Sequence, residues 1–300
     1  MRIGIDLGGT KVEGVVLGKD GCIEFRRRVP TPSSSYDEII ETIVELVSQL
    51  ERDVGASCSV GIGMPGIISP HSGLVKNSNT TVLNGKPFDR DLTARLGREL
   101  HFENDANCFV LSEAIDGAGR DAEVVFGVII GTGTGGGIAV QRRVIRGANA
   151  IAGEWGHNPL PWPTDKEPDP SECYCGKRGC IETYLCGAGL ISVYEKVAGT
   201  ICGTHQIAAL AQSGDQVARR AVEVYTDRLA RSLASVVNVI DPDVVVLGGG
   251  LSNLTSLYER VPQLIGNYVF SDHVDFTIVP AKHGESSGVR GAAWLWPDPE

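Results

Sequence analysis

The strongest constraint on the fold is a pattern that occurs twice. Near the start, an apolar run from Ile3 to Leu7, a turn at Gly8-Gly9-Thr10-Lys11 and a returning run from Val12 to Leu17 predict a β-hairpin. Far downstream, the stretch from Gly127 to Val140 repeats the arrangement around Gly131-Thr-Gly-Thr-Gly-Gly-Gly137. Gly4 and Gly8 fall on Gly127 and Gly131 at one constant offset. Two copies of a strand, a glycine turn and a strand indicate two related lobes.

Helices separate the strands. Tyr36 to Arg52 carries Ile39, Ile40, Ile43, Val44, Leu46, Val47 and Leu50 at helical spacing, with Asp37 as a plausible cap. Ser59 to Gly63 reads as a strand, Asp89 to Leu100 as a helix, and Asn104-Asp105 as the start of another helix reaching about Asp116. Gln216 to Ile240 is a long helix, Val244 to Leu247 a buried strand, and Gly248-Gly249-Gly250 the turn that follows. The alternation predicts an α/β fold. Residues 1–118 form the expected N-terminal lobe, and 119–285 the C-terminal one. Pro159 to Pro170 is an irregular proline-rich loop.

Composition narrows the classes. With 42% apolar and 21% charged residues in 300, the chain can bury a full core, which excludes disorder. A net charge of −10 disfavours nucleic acid, and no run approaches the roughly 20 apolar residues of a membrane span. A cytoplasmic protein with no membrane or nucleic-acid partner is expected. Glycine is in excess, at 38 residues, nearly twice the usual ~7%. That surplus points to tight turns or to close approaches between backbone and ligand.

Three glycine turns at strand ends suit a nucleotide. Backbone N–H groups of Gly8 and Gly9 can surround phosphate oxygens, Thr10 can donate to them, Lys11 supplies a cation and Asp6 can hold hydrated Mg²⁺. A simple hairpin turn is the competing explanation at Gly8-Gly9. Asp105 reads either as a helix cap or as a base for a hydroxyl in phosphoryl transfer. Glu154-Trp-Gly-His157, followed by Cys173, Cys175 and Cys180, gives a Cys₃His set that suits a closed, structural Zn²⁺ site better than a disulfide with a spare thiol. The remaining cysteines, Cys22, Cys58, Cys108, Cys186 and Cys202, are expected to be buried apolar residues. Asn77 and Asn79 are loop formers or polyol ligands, with a loop role favoured for Asn77. Arg26, Arg27 and Arg28 look like a solvated strand edge, and Trp294 and Trp296 like packing residues.

Asp6-Leu-Gly-Gly-Thr-Lys11, Glu154-Trp-Gly-His157 and Cys173-x-Cys175-Gly-x-x-Gly179-Cys180-x-Glu182 occur in this order. With them, the chain resembles the ROK family of sugar kinases and repressors over essentially its whole length. It is most similar to the bacterial fructokinase, or manno(fructo)kinase, branch through Val75 to Gly85, Glu154 to Trp162 and Ser286 to Trp296. The resemblance implies an actin-like ATPase (ribonuclease H-like) fold with ATP and sugar in the cleft between two lobes, and a C-terminal helix, about 286–300, that returns to the N-terminal lobe.

It also implies roles. Asp105 is the expected general base. Asp6, Gly8, Gly9, Thr10, Lys11, Gly131, Thr132 and Gly133 would surround the phosphates and Mg²⁺, with Gly248, Gly249 and Gly250 against adenosine. Asn79, Asn104, Asp105, Glu154, His157 and Glu182 would hold the sugar, and His157, Cys173, Cys175 and Cys180 the zinc. Fructose is the expected substrate, with mannose or glucose also possible acceptors. An N-acetylglucosamine, N-acetylmannosamine or glucose kinase is the alternative. A sugar-responsive repressor is disfavoured because the phosphate turn begins at Asp6, leaving no preceding helix-turn-helix. A homodimer is the expected assembly.

Overall fold

Short apolar runs separated by glycine turns build the first sheet. In the computed structural model, which describes residues 1–165, 167 and 170–297, β1 (Arg2–Leu7) and β2 (Lys11–Leu17) form the expected hairpin. Strand β3 (Ile23–Pro30) extends it antiparallel and lies at the sheet edge. Its arginines are exposed there, Arg26 and Arg28 paired with the buried Glu13 and Arg27 with Asp53.

Helix α1 (Tyr36–Val54) packs Ile39, Ile43, Leu46 and Leu50 into a core with Ile3, Ile5, Val60 and Ile62. Its cap is Ser35, whose side chain accepts from the Glu38 N–H; Asp37, the expected cap, sits in the first turn, where its charge suits the helix dipole. Next come β4 (Ser59–Met64), the short pair β5 (Ile67–Ile68) and β6 (Val75–Lys76), α2 (Phe88–Leu96), β7 (His101–Asn104) and α3 (Asp105–Ile115). Helix α2 stops short of the expected Leu100 because Gly97 turns left-handed at φ 67 and donates to the Thr93 carbonyl. The sheet order is β3-β2-β1-β4-β7, with β1, β4 and β7 parallel.

The second sheet contains β8 (Val124–Ile130), β9 (Thr134–Val140) and β10 (Arg143–Val144). Helices α4 (Ile181–Leu185), α5 (Gly187–Ala198), α6 (Thr204–Ser213) and α7 (Gln216–Ile240) precede β11 (Val244–Gly248), α8 (Ser256–Ile265) and β12 (Ile278–Pro280). The order is β10-β9-β8-β11-β12, with β8, β11 and β12 parallel. Position for position this repeats the first sheet, so the duplicated glycine hairpin marks a duplicated sheet. In the proline-rich loop, Glu167 pairs with Arg228 and Arg231 of α7; residues 166, 168 and 169 lie outside the described residues.

The last helix, α9 (Ser287–Ala293), is shorter than the expected 286–300, and Pro297, which has no N–H to donate, follows it. Residues 298–300 lie outside the described ones. It seats on glycines. A Cβ on Gly4 would overlap the Val289 carbonyl, one on Gly61 the Ala292 carbonyl, and one on Gly291 the Cys108 carbonyl. Arg290 pairs with Asp116, Ser287 Oγ donates to Glu113 Oε1 at 2.7 Å, and Trp296 Nε1 donates to the Val60 carbonyl at 2.7 Å. Trp294 packs with Val15, Leu17 and Val289, a packing role for both tryptophans. Part of the glycine excess therefore serves helix-on-sheet packing rather than ligand turns.

The chain divides into two compact units. One is Met1–Asp121, Gly137–Ala152 and Glu285–Glu300; the other is Ala122–Gly136 and Gly153–Gly284. Residues 137–152, which the sequence reading assigns to the second lobe, pack with the first. Gly137 explains why: a Cβ there would stand 2.8 Å from the Ala106 carbonyl at the start of α3. Cys58, Cys108 and Cys186 are buried as expected, but Cys22 is exposed and Cys202 half-buried. Among the described residues, no helix is long and apolar enough to cross a membrane.

Candidate active site

In the first unit, the turn between β1 and β2 is closed by Gly8 N–H donating to the Lys11 carbonyl at 3.0 Å, and Thr31 Oγ1 donates to the Gly8 carbonyl at 2.7 Å. Neither Gly8 nor Gly9 adopts a left-handed backbone. Conformation alone therefore does not demand glycine at either position. A Cβ on Gly9 would find one neighbour within 4 Å, Thr80 Oγ1 at 3.9 Å. The missing side chain leaves open space above the backbone, the property a closely approaching ligand needs.

Asp6 ends the apolar part of β1, paired across the hairpin with Glu13 and in parallel with Gly63. Burial, then the neighbouring charges of Asp105 and Glu13, push its carboxyl up to about 7, against the opposing pull of Lys11. Lys11 lies 3.9 Å from Glu13 and 3.6 Å from Glu285. Thr10 is exposed.

Asp105 is the first residue of α3, but it is not the cap. Asn104 is: its Oδ1 accepts from Ala106 N–H at 2.9 Å while its Nδ2 donates to the Gly66 carbonyl at 3.1 Å. Asp105 Oδ1 also accepts from Ala106 N–H, at 2.8 Å, and the side chain is exposed. Beneath them lies Glu103, which sequence reasoning missed. It is 7% exposed and accepts from Asn104 N–H at 2.9 Å and Asn107 Nδ2 at 3.0 Å, while Arg146 Nε pairs with it at 3.0 Å. The signal was available: a carboxylate in the short apolar approach to the Asn-Asp pair. Asn79 is exposed beside the buried Ser78 and Thr80, and Asn77 takes a left-handed φ of 60°, which fits a loop former.

In the second unit, the glycine turns meet. A Cβ on Gly131 would lie 4.0 Å from the Gly250 N, and one on Gly250 would have nothing within 4 Å. Gly249 is left-handed, at φ 82, tucked under the Ile130 carbonyl. Other glycines of the run make room for neighbours instead. A Cβ on Gly133 would stand 2.7 Å from Glu182 Oε2, and one on Gly136 2.7 Å from Trp155 Cδ1. Glu182 Oε2 accepts from Thr134 N–H at 3.2 Å, and Trp155 Nε1 donates to the Gly135 carbonyl at 3.1 Å. Thr132 is exposed.

The four donors predicted from spacing come together. One ring nitrogen of His157 and the sulfurs of Cys173, Cys175 and Cys180 all lie within 4.8 Å of one another. Cys175 Sγ is 3.6 Å from Cys180 Sγ, and Cys173 Sγ 3.5 Å from His157 Nδ1. A tetrahedron with Zn–S bonds of about 2.3 Å has edges of about 3.8 Å, so the set fits zinc. All three cysteines are free thiols, not disulfide partners. Desolvation pushes the Cys173 thiol up to about 12 in the metal-free protein. The ring's other nitrogen, Nε2, lies 3.0 Å from Tyr174 OH and 3.9 Å from the exposed Glu154. Cys173 Sγ also donates to Glu182 Oε1 at 3.6 Å, so one carboxylate links the thiol cluster to the glycine turn.

Residues 2–299 match the model of the ROK family. The N-acetyl-D-glucosamine kinase of Haemophilus influenzae (strain 86-028NP) is 38% identical over 302 residues, covering 99% of both chains. Among solved structures, the ROK hexokinase from Thermus thermophilus superposes with a TM-score of 0.85 at 31% identity, over 97% of this chain and 96% of that one. A ROK family glucokinase from Streptomyces griseus, in complex with glucose and AMPPNP, gives 0.79 at 26% identity over 99% of both. Two sheets of the same strand order are the hallmark of the actin-like ATPase fold that these kinases have. By sequence along its whole length and by fold, the chain belongs to the ROK family.

Proposed function

We propose that the chain is an ATP-dependent sugar kinase whose acceptor is N-acetyl-D-glucosamine, phosphorylated at its terminal hydroxyl. The observation that carries the kinase chemistry is the pairing of an open glycine turn with two electrostatically coupled carboxylates, Asp6 and Asp105. Fructose, the acceptor expected from the loop motifs, gives way to the alternative: the relative identical at 38% across nearly the full length of both chains is an N-acetyl-D-glucosamine kinase.

Asp105 orients the acceptor hydroxyl and takes its proton as the oxygen attacks the γ-phosphorus. Asn104, tied to Gly66 and to the start of α3, holds one side of the sugar, and Asn79 contributes from its exposed loop. Amides of Gly8 and Gly9, the Thr10 hydroxyl and Lys11 stabilise charge on the transferring group. Gly131, Thr132 and Gly133 serve the phosphates, and Gly248 to Gly250 serve adenosine. Asp6 would hold Mg²⁺, which neutralises phosphate charge when bound, and its raised pKa fits a site that gains from a cation. His157, Cys173, Cys175 and Cys180 would hold Zn²⁺, which fastens the segment bearing Glu154, His157 and Glu182 without an open coordination position. Those three side chains complete the sugar contacts.

The test is ADP release with MgATP against N-acetylglucosamine, N-acetylmannosamine, glucose, mannose and fructose. N-acetylglucosamine is expected to show the highest kcat/KM, by about tenfold or more over fructose, the discrimination a pocket gains from ~1.4 kcal/mol. A preference for fructose would reverse the acceptor assignment, and no turnover with any sugar would remove the kinase.

A further inference from the structure

We infer that the hydroxyl of Thr80 donates a hydrogen bond to the phosphoryl group being transferred, a substrate contact that none of the sequence motifs identifies. The inference rests on the kinase reading above. Thr80 is 4% exposed, and its Oγ1 is buried with no hydrogen-bond partner among the described residues. A hydroxyl left this way carries the desolvation penalty of an unmade bond, so native interiors hold few of them. The position of the orphan is informative. Thr80 Oγ1 is the atom nearest to where a Cβ on Gly9 would stand, at 3.9 Å, so the orphan hydroxyl lies directly beside the glycine turn.

The loop fixes the threonine while leaving its hydroxyl unused. Asn84 Oδ1 accepts from Ser78 N–H at 3.0 Å and Asn84 Nδ2 donates to the Ser78 carbonyl at 2.9 Å. Ser78 Oγ in turn accepts from Thr80 N–H and donates to the Thr80 carbonyl, both at 3.1 Å. Two side chains hold the Thr80 backbone in place. For packing alone, valine, with the same shape, would serve as well. Phosphoryl oxygens accept and do not donate, which matches a hydroxyl beside the Gly8 and Gly9 amides. Thr80 also follows Asn79 directly, so the loop proposed to carry the sugar ends at the turn proposed to carry the phosphate.

The experiment compares Thr80→Val and Thr80→Ser with the wild type in the full chain, using MgATP and the best sugar of the panel, with melting temperatures measured alongside. Thr80→Val is expected to lower kcat by about ten- to a hundredfold, as for a lost bond to a charged group, with the sugar KM within about threefold. Its melting temperature should equal or exceed the wild type's, since an unpartnered hydroxyl is removed. Thr80→Ser should retain turnover to within about fivefold. A Thr80→Val kcat within twofold of the wild type would overturn the inference. So would a loss confined to the sugar KM, a loss that tracks a falling melting temperature, or a serine variant as slow as the valine one. A wild type inactive on every sugar would overturn the kinase reading, and this inference with it.

Discussion

The two copies of the glycine hairpin share a sequence pattern and a place in their sheets, yet their glycines serve different ends. Around Gly9 the protein puts almost nothing where a side chain would be. In the second copy, Gly133 and Gly136 are filled from outside, by Glu182 and Trp155, while a Cβ on Gly131 would only just reach the Gly250 nitrogen. Duplicated sequence thus preserves backbone geometry while the surroundings decide which glycine meets a ligand and which meets the protein. The second copy is also tied through Glu182 to the thiol cluster, whereas the first is tied to carboxylates, Asp6 and Asp105.

The largest expected effect tests whether chemistry sits with the first copy. Asp105→Asn should reduce kcat by about 10²- to 10⁴-fold with the fold intact by circular dichroism; turnover within a few-fold of wild type would remove Asp105 from the mechanism. The second copy's dependence on the cluster is sharpened by metal removal. Stripping with a strong chelator should lower the melting temperature by about 5 °C or more, and elemental analysis of the untreated protein should find one zinc per chain. Well-folded protein without zinc would detach the cluster from the second turn's stability.

A pair of alanine substitutions sets the copies against each other. Gly9→Ala should leave the melting temperature within about 2 °C but raise the KM for ATP several-fold. Gly133→Ala should lower the melting temperature by about 3–6 °C through its clash with Glu182. The reverse pattern would break the comparison.

The smallest effect is on stability and pH. Asp6 titrates near 7 in the folded chain and near 3.8 unfolded, so the native state binds the proton more tightly. Its stabilising contribution is complete below about pH 3.8 and is lost as pH rises through about 7. In metal-free buffer, Asp6→Asn should therefore flatten the fall in urea midpoint between pH 5 and 8 and gain about 2 °C at pH 8, at the expense of activity. A variant with the wild-type pH slope would place the perturbed group elsewhere.

Much of the fold was readable because periodicity and glycine position report on backbone directly. The hairpin, α7 and the duplicated sheet all follow from that. The exact caps did not, since Ser35 and Asp37 are both good candidates and only the chain's entry angle selects between them. Spacing brought His157 and the three cysteines together, because a four-ligand set leaves a dense local signature. Glu103 and Thr80 left none. Their significance comes from burial and from partners made or missing in three dimensions, which a linear pattern does not contain. The glycine excess was only partly explained by ligand turns, as Gly4 and Gly61 yield their side chains to α9, and Gly291 of α9 yields its own to α3.

That seat bears on how the first unit is closed. Strand β1 closes its inner face only when α9, which lies far along the chain, packs against it. Without that helix Gly4 and Gly61 would line a bare trough, so the first unit depends on contacts of high sequence separation, which form late in folding. A chain without residues 287–297 would lose the Arg290 ion pair and the Trp294 and Trp296 contacts and expose the apolar face they cover, so the helix acts as a latch on the unit.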